Sequence, residues 1–240
     1  MSKAVAALFL IWVSVIAVMP IPSYGSPEAR TPEEFDLYLE FHETIDPAAR
    51  HEIALRFERT FPESALLAHV YESEFEYARS REQRQSAIAV AEKKLRLAPN
   101  DIKALLGLAE ILSYGTSDLP ILSRAEQYAR KALVELKEMQ LPREVTRNDC
   151  DKIQKSLLSR AHAALGFVVG KRGEIAESIK ELETAIALSP EPVGSQLLFA
   201  GKLYRTAKRE RDAIEMFRRA AQAGPAEITS LAKVELQRKK

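Results

Sequence analysis

Five prolines divide this chain at near-regular intervals. Pro62, Pro99, Pro142, Pro190 and Pro225 stand 37, 43, 48 and 35 residues apart, and each follows a stretch whose apolar residues return every three or four positions. Proline cannot continue a helical hydrogen-bond ladder and drives the residue before it towards extended backbone, so each of these marks the end of a helix. Strand signals are missing from residue 26 onward: there is no sustained alternation of β-branched residues and no Asn-Gly or Asp-Gly hairpin turn. Ala, Leu, Glu, Arg and Lys dominate instead. Periodicity and spacing predict an all-α chain of helix pairs, with a unit of about 34 residues lengthened by insertions.

The last two units carry the detail. In Leu197-Leu198-Phe199-Ala200-Gly201-Lys202-Leu203-Tyr204, Gly201 follows a small residue and precedes Tyr204 by three, and Ala213, Phe217 and Pro225 come after. The unit before it has Leu165-Gly166, Val169, Ser178, Leu182, Ala185 and Pro190. Small residues such as Gly166, Gly201, Ala185 and Ala220 let two helices approach where a leucine would force them apart. Tyr204 and Phe217 supply the large partners that fill the remaining space. The pattern resembles the tetratricopeptide repeat, W-x2-L-G-x2-Y…A-x3-F…P. Earlier units match less closely. Ala87, Ala91, Leu95 and Pro99 fit a second helix. Leu105, Leu108, Ala109 and Leu112, with Ala125, Ala129 and Ala132, fit a helix pair, and the first unit keeps Leu37, Phe41, Ala54 and Pro62.

This resemblance implies a right-handed α-solenoid of about five helix hairpins closed by a C-terminal capping helix. The expected repeats are 31–64, 65–101, 102–142, 143–192 and 193–227, with the cap at 228–240. Ile228, Leu231, Ala232 and Leu236 lie on one side of that cap, which covers the apolar face that a terminal repeat leaves without a neighbour. Two insertions are expected. One lengthens the turn from Tyr114 to Ile121. The other, Arg143 to Ser156, leads into a stripe of Cys150, Ile153, Leu157 and Ala161 and predicts a first helix extended at its N-terminus.

Ahead of the repeats, Met1-Ser2-Lys3 is followed by sixteen uncharged residues from Ala4 to Met19, then Pro20, Pro22 and Ser23-Tyr24-Gly25. A basic start, a short apolar run and small residues spaced x-Ser-x-Gly describe a secretory signal cleaved after Gly25. Sixteen helical residues cover ~24 Å, short of the ~30 Å hydrocarbon core; extension to Pro22 leaves membrane attachment through residues 4–22 as the alternative. The expected division is 1–25 as signal or anchor and 26–240 as solenoid, exported to the periplasm or the cell exterior. No cysteine follows the apolar run to take a lipid.

Composition removes several kinds of chemistry. A net charge of +1, from 35 basic and 34 acidic side chains, gives no overall pull towards nucleic acid. A single cysteine, Cys150, excludes an intramolecular disulfide and a cysteine-based zinc site, and Asp149 and Asp151 beside it oppose thiolate formation. His42, His51, His69 and His162 show no H-E-x-x-H or similar spacing, and His162 occupies a slot that the repeat gives to a core residue. Gly166 to Gly173 imitates a phosphate-binding loop. It is one residue short between its glycines, carries Arg172 where a hydroxyl must hold metal, and has no strand before it. Glu72, Glu74 and Glu76 read as a solvated face. No catalytic residue, cofactor or metal is assigned.

The expectation is a non-enzymatic scaffold that binds a protein or peptide. By resemblance, first helices line a concave groove. Helical spacing puts Arg160, Ala163, Phe167 and Lys171 on one side of a first helix, and Ser195, Leu198, Lys202 and Arg205 on the equivalent side of the next. An exposed aromatic with an aliphatic neighbour, ringed by four cations, suits a ligand with an apolar anchor and carboxylates. The second repeat offers His69, Glu72, Glu76 and Arg79, a more acidic lining. Residues 26–80 hold 13 acidic and 5 basic side chains, whereas 81–240 hold 21 and 29. The chain has two asparagines, Asn100 and Asn148, one in a turn and one in an insertion, so a clamp of Asn and basic residues for a C-terminal carboxylate is not expected. Two other roles stay open: an envelope-assembly or spacer protein that oligomerises, and an enzyme or small-ligand carrier on the same scaffold.

Overall fold

A computed structural model describes residues 29–139, 146–189, 191 and 193–238, which form eleven α-helices and no strand. In chain order these are α1 (Pro32–Glu43), α2 (Pro47–Thr60), α3 (Leu67–Ser80), α4 (Arg84–Leu97), α5 (Ile102–Ser113) and α6 (Leu119–Glu138). Then follow α7 (Arg147–Lys171), α8 (Ile175–Leu188), α9 (Gly194–Thr206), α10 (Glu210–Ala223) and α11 (Ala226–Gln237). The N-terminal apolar segment, Pro142 and Pro190 fall outside the described residues.

Several helix starts are set by a side-chain oxygen. Thr31, Asp46, Asp101, Asp118 and Thr146 each accept a hydrogen bond from the backbone N–H three residues on, at 2.7–3.2 Å. Each satisfies one donor that the first turn leaves without a partner. Proline occupies an opening position of α1, α2 and α6, where its missing N–H costs nothing. Pro120 therefore opens α6, and the connection from α5 is Tyr114–Asp118. The turn expected to run to Ile121 is shorter, because Leu119-Pro120-Ile121 is already helix.

Three hairpins close with one hydrogen-bond pattern. Between α3 and α4, α7 and α8, and α9 and α10, the middle residue of a three-residue turn has positive φ: Glu82 at 57°, Gly173 at 89° and Lys208 at 61°. The next residue then donates five positions back, Gln83 to Ala78 O, Glu174 to Val169 O and Arg209 to Tyr204 O, at 2.8–3.0 Å. This left-handed close ties up a carbonyl at the helix end and sends the second helix back along the first.

Second helices repeat a buried triplet at i, i+4 and i+7: Ala87/Ala91/Lys94, Ala125/Ala129/Ala132, Ser178/Leu182/Ala185 and Ala213/Phe217/Ala220. Lys94 stands where the other three have alanine. It is 4% exposed and reaches Glu72 at 3.1 Å and Asp101 at 2.9 Å, which supplies the partners a buried ammonium requires. Ser178 Oγ donates to Gly166 O at 2.6 Å, and Ser159 Oγ to Ala185 O at 2.8 Å.

Each hairpin packs on its neighbours, giving a row of adjoining apolar clusters from Phe41 and Phe57 at one end to Phe217 and Ala232 at the other. At the last position Ala232 is buried and Ile228 and Leu236 pack against the same cluster, but Leu231 is 43% exposed. It turns outward because three residues on from Ile228 falls short of a full turn, off the stripe of Ile228, Ala232 and Leu236. In the middle, α7 runs 25 residues against 14 for α8. Its N-terminal half packs Leu157 and Leu158 into the cluster of Leu136 from the lengthened α6 and Met139 at the C-cap of that helix, and Gln154 Nε2 donates to Leu136 O at 3.2 Å.

Candidate functional site

Consecutive first helices are stitched side to side. Tyr38 Oη meets His69 Nδ1 at 3.3 Å between α1 and α3, and Lys103 of α5 pairs with Glu72 of α3. Arg160 of α7 donates to both oxygens of Glu110 on α5, at 2.6 and 2.8 Å. Phe167 of α7 leans on Phe199 of α9 with ring centroids 4.9 Å apart. Arg205 of α9 reaches Glu235 of α11 at 2.6 Å and Glu210 at 3.2 Å, with its guanidinium 4.7 Å from the Phe217 ring centroid.

These contacts revise the cationic groove expected from spacing. Arg160 and Arg205 are structural ties, since each already faces a carboxylate from a neighbouring helix. Lys171 is also engaged: its Nζ donates to Ser113 O at 2.5 Å, and burial, helped by Arg84 nearby, pushes its ammonium below the ordinary lysine range. Arg84 in turn donates to Tyr114 O at 2.7 Å. The last turn of α5 carries no basic residue, so two cations from α4 and α7 complement the negative end of its dipole. Lys202 is exposed and forms no ion pair among the described residues. Leu198 is 6% exposed and Ala163 is 4% exposed. Both belong to the packing, because α9 and α7 are covered on more sides than an amphipathic helix at a surface.

A cavity of about 250 Å³ remains between α5, α7 and α9, lined by Glu110, Ser113, Tyr114, Arg160, Ala163, Ala164, Phe167, Val193, Ser195 and Gln196. Of the residues placed on the inner side by spacing, Arg160, Ala163, Phe167 and Ser195 line it; Lys171, Leu198, Lys202 and Arg205 do not. Glu110, Ser113, Tyr114, Ala164, Val193 and Gln196 are the contributors that spacing missed. Glu110 was detectable in principle, as a carboxylate on the helix before Arg160. Gln196 has no sequence signal, because its burial depends on how α9 sits against α7.

The packing residues of the last two repeats come together. Leu165, Ala185, Tyr204, Ala213, Phe217 and Ala220 are at most 4% exposed, and Gly166 and Gly201 are buried. A Cβ on Gly201 would lie 2.5 Å from Phe217 Cε1, and one on Gly166 would lie 2.8 Å from Leu182 Cγ. Gly170 faces Ser178 and Phe199, and Gly173 forms the α7–α8 turn, so the phosphate-loop imitation consists of two close approaches and a turn. Pro225 is the N-cap of α11. His162 bonds Glu181 at 2.6 Å, a polar tie across the α7–α8 hairpin where simple packing was expected. No group of three or more His, Cys, Asp or Glu among the described residues is placed to hold a metal ion, and no helix among them is long and apolar enough to cross a membrane.

Helix pairs of this order, closed by these turns and packed in a row, define an α-solenoid of tetratricopeptide type. No protein-family model matches the sequence, and no curated protein matches it. Solved structures do. The chain is similar to BtubC from P. vanneervenii, with TM-score 0.55 and 14% identity over 85% of this chain and 80% of that one. It is similar to the pilF protein of Pseudomonas aeruginosa, with TM-score 0.53 and 16% identity over 85% and 83% of the two chains. A MamA double mutant from RS-1 aligns over 88% of this chain and all of its own, with TM-score 0.50 and 16% identity. At these identities the likeness is one of fold.

Proposed function

We propose that this protein is a non-enzymatic scaffold that holds a protein or peptide partner against the inner face of the solenoid, outside the cytoplasm. The observation that carries the reading is the cavity between α5, α7 and α9, formed by neighbouring first helices with Phe167 in its wall. Concave sites that combine apolar walls with a few placed polar groups are the usual form of a binding surface. The exposed Lys202 on α9 adds a positive edge towards the C-terminal end, whereas Glu72 and Glu76 are matched by Lys94, Lys103 and Arg79. A bound segment would therefore run with its acidic end towards α9. Export rests on the run from Ala4 to Met19 and on Gly25.

Cross-linking in the cells that make the protein, followed by recovery of partners, tests the scaffold. Partner capture that Phe167→Ala lowers and Lys202→Glu alters in salt dependence supports it. Unchanged capture in both variants moves the site elsewhere, first to the segment Arg143 to Ser156. Export is tested separately by sequencing the recovered N-terminus: Ser26 supports it, and intact Met1 in a soluble cytoplasmic fraction ends it.

A second reading, a spacer that oligomerises, is favoured by Leu231 and Val234 on α11, 43% and 58% exposed on a cap whose outer face a solenoid ordinarily keeps polar. Light scattering decides it, since a spacer gains mass with concentration and a monomeric adaptor does not.

A further inference from the structure

The cavity between α5, α7 and α9 has in its wall a side chain whose buried acceptor the fold leaves unused. Gln196 lines it and is 6% exposed, yet its Oε1 accepts no hydrogen bond from the described residues. Burying an amide oxygen without a donor is costly, so such a group in a cavity wall marks a place where a donor is to arrive. The charged donor in the wall is already taken: the Arg160 guanidinium is spent on Glu110 through two bonds at 2.6 and 2.8 Å. That pair also settles the charge of the site, because carboxylate and guanidinium neutralise each other. The rest of the wall is mainly apolar, from Ala163, Ala164, Phe167 and Val193, with hydroxyls from Ser113, Tyr114 and Ser195.

We propose that this cavity receives one aromatic side chain with a hydrogen-donating tip, tyrosine or tryptophan, from the bound polypeptide, with the tip donating to Gln196 Oε1. The inference rests on the peptide-binding reading above. Size favours a single residue, since about 250 Å³ is below the range of pockets that take whole small-molecule ligands. An ammonium or carboxylate guest finds no unpaired countercharge. Phenylalanine or leucine would fill the space and leave Oε1 without a donor, and sites built to bond a polar group reject analogues that lack it. Asparagine brings a donor but little apolar surface to set against Phe167. The terminal amide torsion of glutamine is broad, so a small turn presents the oxygen to a guest.

The test uses protein purified from the cells that make it, isotope-labelled, and blocked pentapeptides Gly-Gly-X-Gly-Gly with X as Tyr, Trp, Phe, Leu or Asn. Tyr and Trp peptides should shift the resonances of Ala163, Phe167 and Gln196 at concentrations at least about tenfold below Phe, Leu and Asn. Gln196→Met should abolish that preference with the melting temperature retained, and Gln196→Glu, an acceptor on both oxygens, should keep it. Equal binding of Tyr and Phe, a preference that survives in Gln196→Met, Asn binding as tightly as Tyr, or no shift with any peptide each overturns the proposal. Failure here with partner capture intact leaves the scaffold standing. Aromatic binding without any captured partner would do the reverse.

Discussion

Arg160 grips Glu110 with two parallel hydrogen bonds, 2.6 and 2.8 Å long, across fifty residues of sequence. The forked geometry fixes α5 against α7, and donating to Glu110 raises the guanidinium pKa above its ordinary value. Both side chains are about one-third exposed, so water screens much of the attraction. A double-mutant cycle with Arg160→Ala and Glu110→Ala should return a coupling of about 0.5–1 kcal/mol that shrinks in salt. Zero coupling at low salt would mean that the pair only decorates the surface.

Gly201 sits against Phe217, which is fully buried and has nowhere to retreat. Gly201→Leu should overpack the α9–α10 contact and cost at least ~1–3 kcal/mol, read as a clear fall in melting temperature. An unchanged melting temperature would contradict the close approach.

The three equivalent turns predict opposite effects for two substitutions. Lys208 at φ 61° bears the left-handed strain of a side chain, so Lys208→Gly should gain up to about 1 kcal/mol in chemical denaturation. Gly173→Ala should lose a similar amount through backbone strain, because no atom lies within 4 Å of the added Cβ. Destabilisation by Lys208→Gly would mean that the side chain does more there than its conformation costs.

Burial raises the carboxyl pKa of Glu74, an effect only partly opposed by its hydrogen bond with His51. The folded protein therefore holds this proton more tightly than the unfolded chain. Just above the ordinary carboxylate value, stability should fall as pH rises. Glu72, lowered by Lys103 and Lys94 despite its own desolvation, acts with the opposite slope and below that value. Unfolding titrations of the wild type and Glu74→Gln across pH 4.5–6.5 check the sign. The difference, wild type minus variant, should decline with pH, and a rising difference refutes it.

What could be read from the sequence was local. Gly201, Tyr204, Ala213 and Phe217 are close in the chain and their spacing is the packing, so the last hairpin is legible in the sequence alone. Helical spacing told which side Arg160 and Arg205 occupy but not that Glu110 and Glu235 wait there, since pairing depends on the offset between helices. It placed Leu198 with Lys202, yet α9 is enclosed by α8, α10 and α11 and buries more than one face. The turn expected from Tyr114 to Ile121 ends early because proline serves helix starts as well as ends, and Pro120 opens α6 behind the Asp118 cap. Lys94 in an alanine slot broke the pattern for a reason two other helices supply, through Glu72 and Asp101.

A surface built from repeats carries a hazard of its own: an extended ligand can bind one period out of place at little loss. The outgrown α6 and α7 remove that degeneracy. Their extension breaks the translational symmetry near the middle of the row and would serve a bound polypeptide as a datum from which position along the solenoid is counted. A partner that touches it has a single alignment, and one that does not is free to slide.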